Sequence, residues 1–175
     1  ADAIQGKNFT PLEKIRFIDE LNGWVVGGFP RDSEVSISGG MGIILATNNG
    51  GKNWYPQLNG EATWQSDIWM LDKLNGYAVG EYGVVLRTID GGKKWEQIRN
   101  VPTPAWLCGI YFLNKEQGWT VGRYETILKT NDCGETWTVQ EAPVPYRPFG
   151  LPITYKTVRF ANEREGWILG DHGNI

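Results

Sequence analysis

Acids in short loops, one histidine and two cysteines are the residues of this chain whose types could do chemistry. Asp32, Glu34, Glu81, Glu125 and Asp171 stand in loops that follow short apolar runs. Glycoside hydrolysis needs two carboxylates about 5 to 10 Å apart, one donating a proton and the other acting as base or nucleophile. Charged side chains mostly stay in water, so solvated surface acids are the plainer reading. His172 is the single histidine and sits beside Asp171, without the spacing of a zinc or nucleophile site. Cys108 and Cys133 form no metal or redox motif, and Cys133 has no basic neighbour to activate its thiol. The sequence therefore predicts no catalytic residue, no metal and no cofactor.

A recurring octapeptide organises the elements that position these residues. Thr47-Asn48-Asn49-Gly50-Gly51-Lys52-Asn53-Trp54, Thr88-Ile89-Asp90-Gly91-Gly92-Lys93-Lys94-Trp95 and Thr130-Asn131-Asp132-Cys133-Gly134-Glu135-Thr136-Trp137 share one pattern, 41 and 42 residues apart. Each follows an apolar run: Ile43–Leu45, Val84–Leu86 and Ile127–Leu128. A period of that length with strand-and-turn punctuation marks a propeller or another repeat array. Asn49, Asp90 and Asp132 are expected to accept hydrogen bonds from the backbone two residues on, closing an Asx-type turn. Gly51, Gly92 and Gly134 supply a positive φ, and Trp54, Trp95 and Trp137 carry the chain into the next strand. These acids read as turn clasps and not as catalytic groups.

Four segments align without gaps: Pro11 to Gly27, Trp64 to Gly80, Trp106 to Gly122 and Thr154 to Gly170. Each opens with an alternating strand that places Arg16, Trp69, Tyr111 and Arg159 on one face. A turn and a second strand ending in glycine follow, and the Asn22-Gly23 and Asn75-Gly76 pairs are hairpin signals. With a third strand into the octapeptide and a fourth out of it, each repeat makes a four-stranded antiparallel blade. The expected architecture is an all-β propeller segment of about three and a half blades: 11–62, 63–104, 105–153 and an incomplete 154–175. Such an array implies a larger propeller, or a face covered by missing blades or by self-association.

Two departures from the repeat stand out. The interval from turn glycine to box threonine is 12 residues in the second and third repeats but 24 in the first, Gly23 to Thr47. The insertion, about Phe29 to Gly40, reads equally as a solvated hairpin or as a loop for a partner. Glu141 to Thr154 holds Pro143, Pro145, Pro148 and Pro152, which favour an extended spacer.

Composition excludes some classes. The 175 residues suffice for one domain with a sizeable core. Nine tryptophans and 23 glycines suit short strands and tight turns. A net charge of −3 leaves no electrostatic footprint for nucleic acid. No apolar run is long enough to cross a bilayer as a helix. Cys108 and Cys133 fall at opposite ends of their blades, so two free thiols are expected.

The octapeptide resembles the Asp-box, or BNR, repeat of sialidase-like propellers, in which the box is structural. With the Ile-x-Phe strands and the Gly-Trp-x-Val-Gly pattern, the chain resembles more specifically the photosystem II stability and assembly factor family and its bacterial relatives. That resemblance implies a non-catalytic scaffold binding newly made protein subunits, secreted, periplasmic, at a cell surface or in a thylakoid lumen rather than in the cytoplasm. A sialidase would need an arginine cluster. Phe29-Pro30-Arg31-Asp32 has related letters in the wrong order, and Trp69 and Tyr111 interrupt the position shared by Arg16 and Arg159.

The function expected is therefore protein binding in complex assembly, stability or cell-surface interaction, with a carbohydrate-active propeller as the alternative. The expected binding residues are Arg31, Asp32, Glu81, Tyr82, Arg123, Tyr124, Glu125, Asp171 and His172, in loops after the second strand of each repeat. Mixed aromatic, arginine and acidic side chains are the composition of protein-recognition surfaces. Trp64 and Trp106, before the first strands, read as packing residues between blades.

Overall fold

A computed structural model describes residues 11–29, 41–59, 62–141 and 150–171. The fold is all-β, in three four-stranded antiparallel sheets and one two-stranded sheet. Sheet one holds β1 (Leu12–Phe17), β2 (Gly23–Phe29), β3 (Met41–Thr47) and β4 (Tyr55–Asn59) in chain order. Sheet two holds β5 (Gln65–Met70), β6 (Gly76–Gly80), β7 (Val85–Thr88) and β8 (Glu96–Gln97). Sheet three holds β9 (Leu107–Phe112), β10 (Gly118–Gly122), β11 (Ile127–Thr130) and β12 (Thr138–Val139). Sheet four pairs β13 (Tyr155–Phe160) with β14 (Gly166–Gly170). The first-repeat insertion begins as an extension of its hairpin, with Gly28 opposite Gly42 and Phe29 opposite Met41. The rest of that insertion and most of the proline-rich connection lie outside the described residues.

The sheets stack face to face, and a separate apolar layer fills each gap. Trp24, Val26 and Ile44 of sheet one meet Ile68, Met70 and Leu86 of sheet two. Tyr77, Val79 and Val85 meet Leu107, Ile110 and Phe112 in the next gap, and Trp119 and Val121 meet Tyr155 and Val158 in the last. Large aromatics fill these gaps efficiently: Tyr77 stacks on Phe112 at 4.6 Å, and Trp119 on Phe160 at 3.8 Å. The outer sheets each keep one apolar face that no described residue covers. Ile15 is 58% exposed where its counterparts Ile68 and Ile110 are fully buried, and Trp167 is 52% exposed where Trp119 is 6%.

The box turns differ from expectation in their wiring. The acid does not close an Asx turn on the amide two residues on; the threonine is the hub. Thr88 Oγ1 accepts from the Asp90 amide at 3.4 Å and the Gly92 amide at 2.8 Å, and donates to Asp90 Oδ1 at 2.9 Å. Asp90 Oδ1 then accepts from the Lys94 amide, four residues on, at 3.0 Å. Thr47 with Asn49, and Thr130 with Asp132, repeat the pattern, reaching the amides of Gly51 and Asn53, and of Gly134 and Thr136. A buried hydroxyl must find partners, and each of these threonines is buried. The two residues before the loop turns back are left-handed in every box: Gly50 and Gly51, Gly91 and Gly92, Cys133 and Gly134.

The second and third boxes are also gripped by the preceding sheet. Gln57 of β4 donates to the Gly91 carbonyl at 2.6 Å. The Tyr77 hydroxyl donates to the Cys133 carbonyl, and Arg87 pairs with Glu135. Trp95 packs against the core between sheets one and two, Trp137 is buried between sheets two and three, and Trp54 meets Phe17 edge-on at 6.0 Å. Both cysteines are free thiols.

Candidate functional site

The hairpin geometry gives the array two ends. Turns from first to second strand abut the boxes, as where the Gly91 amide donates to the Leu74 carbonyl at 2.9 Å and Cys133 to Glu116 at 3.1 Å. The loops after the second strands therefore gather at the opposite end, where the sequence places its binding residues.

A backbone clasp repeats four times at that end. The amide after the second-strand glycine donates to the carbonyl of the residue that opens the repeat: Gly28 to Pro11, Glu81 to Trp64, Arg123 to Trp106 and Asp171 to Thr154, at 2.9 to 3.2 Å. The chains pass so closely that a Cβ on Gly27, Gly80 or Gly122 would stand 2.1, 1.9 or 2.2 Å from the facing carbonyl oxygen. Only glycine permits this approach. The loops then turn through left-handed residues, Tyr82 in one and Tyr124 and Glu125 in the other, at φ between 56° and 59°. Tyr82 and Tyr124 project into solvent as a result, 52% and 70% exposed.

Beneath them runs an aromatic row. Trp64 and Trp106 meet across sheets two and three with ring centroids 6.1 Å apart, and the Trp106 indole N–H donates to Ser66 Oγ. The Arg123 guanidinium lies 4.4 Å over the Trp106 ring. The structure thus brings Arg123 onto Trp106, which in turn meets Trp64, while Tyr124 next to Arg123 in the chain is exposed. Glu125 and Asp171 are engaged differently. Glu125 Oε1 accepts from the Ile153 amide at 3.2 Å, while the Glu125 amide donates to the Ile153 carbonyl. Asp171 pairs with Lys156 at 3.3 Å. Burial works against its ionisation, but the Lys156 hydrogen bond and charge outweigh that and hold the carboxyl below its usual range. A glycosidase acid needs the opposite displacement. Asp67 is a carboxyl that burial pushes up, yet it lies inside the sheet stack and accepts from the amides of Ile68 and Ile110. Arg31, Asp32 and His172 lie outside the described residues. No group of three His, Cys, Asp or Glu among the described residues could hold a metal ion.

Sequence reasoning missed a second cluster, on the inner strands β1, β5, β9 and β13. Arg16, Trp69, Tyr111 and Arg159 occupy one repeat position, and the stacking of the sheets brings them into contact. Trp69 and Tyr111 meet at 4.8 Å. Arg16 lies 3.6 Å over the Trp69 ring, and Arg159 lies 5.6 Å from the Trp69 and Tyr111 centroids alike. The signal was present in the shared repeat position. What it lacked was the curvature that carries sheets one and four round to the same tryptophan.

The family model described as photosynthesis system II assembly factor YCF48 matches residues 94–175. Among solved structures, YCF48 bound to a D1 peptide is 25% identical with a TM-score of 0.61, over 78% of this chain and 43% of that one. YCF48 from Cyanidioschyzon merolae is 13% identical with a TM-score of 0.68, over 97% of this chain and 51% of that one. The chain spans about half the length of these structures. A comparison with curated proteins finds no match. The chain is an Asp-box repeat protein resembling the photosystem II assembly factor family, and its sheets match about half of the YCF48 propeller.

Proposed function

We propose that the chain is a non-catalytic propeller scaffold that binds a peptide segment of a partner protein, in the assembly or stabilisation of a complex. The observation that carries this reading is its likeness, at 25% identity over 78% of its length, to a YCF48 that binds a D1 peptide. The rim of Arg123, Tyr124, Trp106 and Trp64 supports it, since rigid aromatics and arginine dominate the energetic centres of protein interfaces. The reading favours a lumenal, periplasmic or cell-surface setting. No helix among the described residues is long and apolar enough to cross a membrane.

Titration of the purified chain with synthetic peptides tiling the exposed segments of membrane proteins, a D1-derived peptide among them, tests this. Binding in the micromolar range is expected, weakened at least tenfold, about 1.4 kcal/mol, by the double substitution Arg123→Ala and Tyr124→Ala. Turnover of a sialoside or glucan that Glu125→Gln abolishes would replace the scaffold reading with the carbohydrate-active one.

A further inference from the structure

Asp67 puts an acid where the repeat does not ask for one. Its counterparts in the other three segments are Lys14, Gly109 and Thr157. The side chain is 1% exposed, inside the sheet stack. A buried carboxylate is costly unless its oxygens are paired. Here both are paired: Oδ1 accepts from the Ile68 amide at 2.9 Å, and Oδ2 accepts from the Ile110 amide of β9, in the next sheet, at 3.1 Å.

The bond to Ile110 joins the two strands that carry the aromatic rim. Trp64 precedes Asp67 by three residues, Trp106 precedes Ile110 by four, and the two tryptophans meet. A second cross-sheet bond lies beside it, where the Trp106 indole N–H donates to Oγ of Ser66, the residue before Asp67. Arg123 lies over the same Trp106 ring. What holds β5 against β9 at this point therefore sets how the rim is presented.

The carboxyl is placed to change state. Burial pushes it up, against the two amides and the charges of Lys14 and Arg16 on β1. Glu13 is the other charged residue of β1, and Arg159 of β13 stands 5.6 Å from the Trp69 ring. The other strands packed against β5 bring no further charge: β2 and β3 have no titratable side chain, β6 has Tyr77, and β9 has Cys108 and Tyr111. A carboxylate accepts through both oxygens, whereas a neutral carboxyl has a proton to donate. With each oxygen already facing an N–H, protonation sets donor against donor and weakens one bond. Ile68 is the next residue in the chain and cannot leave; Ile110 can.

We infer that Asp67 is a proton-operated latch of the rim: ionised, it ties β9 to β5 and holds Trp64 and Trp106 in place; protonated, it frees the Ile110 amide and weakens peptide binding there. The effect on binding rests on the scaffold reading; the latch itself does not. Because the folded-state value lies above the unfolded 3.8, the cost of this buried charge is relieved as pH falls through the folded value toward 3.8. Release of the latch is therefore distinct from acid unfolding.

The test is an NMR titration of the whole chain from about pH 7.5 to about 4, a range above the ordinary aspartate value. The Asp67 Cγ resonance should give a midpoint above 3.8. The Ile110 amide and the Trp106 indole N–H should move with the same midpoint, and the Ile110 protection factor should fall at least fivefold. A D1-derived peptide should bind at least threefold more weakly at the acid end. Asp67→Asn, neutral throughout, should bind that peptide near neutrality as weakly as the native chain does in acid. An Asp67 midpoint at or below 3.8, or an Ile110 amide that ignores the proton, overturns the latch on the native chain alone. A peptide that binds the native chain equally across the range overturns the regulation and keeps the scaffold reading. Concerted resonances with no peptide bound uphold the latch and count against the scaffold.

Discussion

The two ends of the sheet stack hold their turns by different means. At the box end the clasp runs through side chains: Thr88 and Thr130 gather two amides each, and Asp90 and Asp132 gather another. At the opposite end the clasp is all backbone, amide to carbonyl, four times over. The difference governs which residues are free to change. Where side chains make the clasp, the octapeptide must repeat. Where only a glycine and the main chain make it, the next residue can be Gly28, Glu81, Arg123 or Asp171 with the geometry kept. Variety of side chains collects at the end whose scaffold does not need particular ones, which is the end on which the proposed binding reading rests.

The sharpest way to break the comparison is to attack the backbone clasp at its glycine. Gly80→Ala sets a Cβ against the Trp64 carbonyl oxygen and should cost about 3 kcal/mol, the upper range for overpacking. Urea melts of this variant check it. Thr130→Val keeps the branched shape but removes the acceptor of two amides, and should cost about 2 kcal/mol. Thermal melts should show a matching fall of several degrees. Cys133→Gly should stabilise by about 1 kcal/mol, because Cys133 is left-handed at φ 59° where the other boxes place Gly50 and Gly91.

Acid titration separates the clasps further. The Thr136 side-chain and backbone hydrogen bonds hold the Asp132 carboxyl below its usual range. A depressed folded-state pKa contributes stability above the unfolded pKa near 3.8, lost as pH falls through the lower folded value. The group is exposed to solvent, so the effect is a few tenths of a kcal/mol at most. Melting temperatures of the native chain and Asp132→Asn should converge below pH 3.8. Tyr124→Ala, at the variable end, should change stability by less than about 0.5 kcal/mol. A larger loss would mean that this loop side chain is structural after all.

Much of the fold was legible because the repeat is written in residues with strong local preferences. Asn-Gly pairs, box glycines and alternating apolar strands each name a turn or a face without help from distant parts of the chain. The box wiring was legible only in outline. The pattern gives Asp90 and Thr88 equal prominence, and nothing local says that the hydroxyl, buried under the turn, collects the amides. The inner cluster was less legible still. Arg16 and Arg159 lie 143 positions apart, and the intervening Trp69 and Tyr111 read as a broken arginine series. They become one site only when the sheets fan about a common centre. The same holds for Asp67, an ordinary strand acid until β9 supplies the Ile110 amide.

The grip of Gln57 on Gly91, and of Tyr77 and Arg87 on the third box, points always from one sheet to the following one. That arrangement has a polarity. Loosening sheet two should release the turn of sheet three, while loosening sheet three leaves the second turn held. Amide hydrogen exchange at Gly134 should then track damage inflicted at Tyr77, and exchange at Gly92 should ignore damage at Trp137. Local order would pass along the chain in one direction, like a zip that opens from a single side.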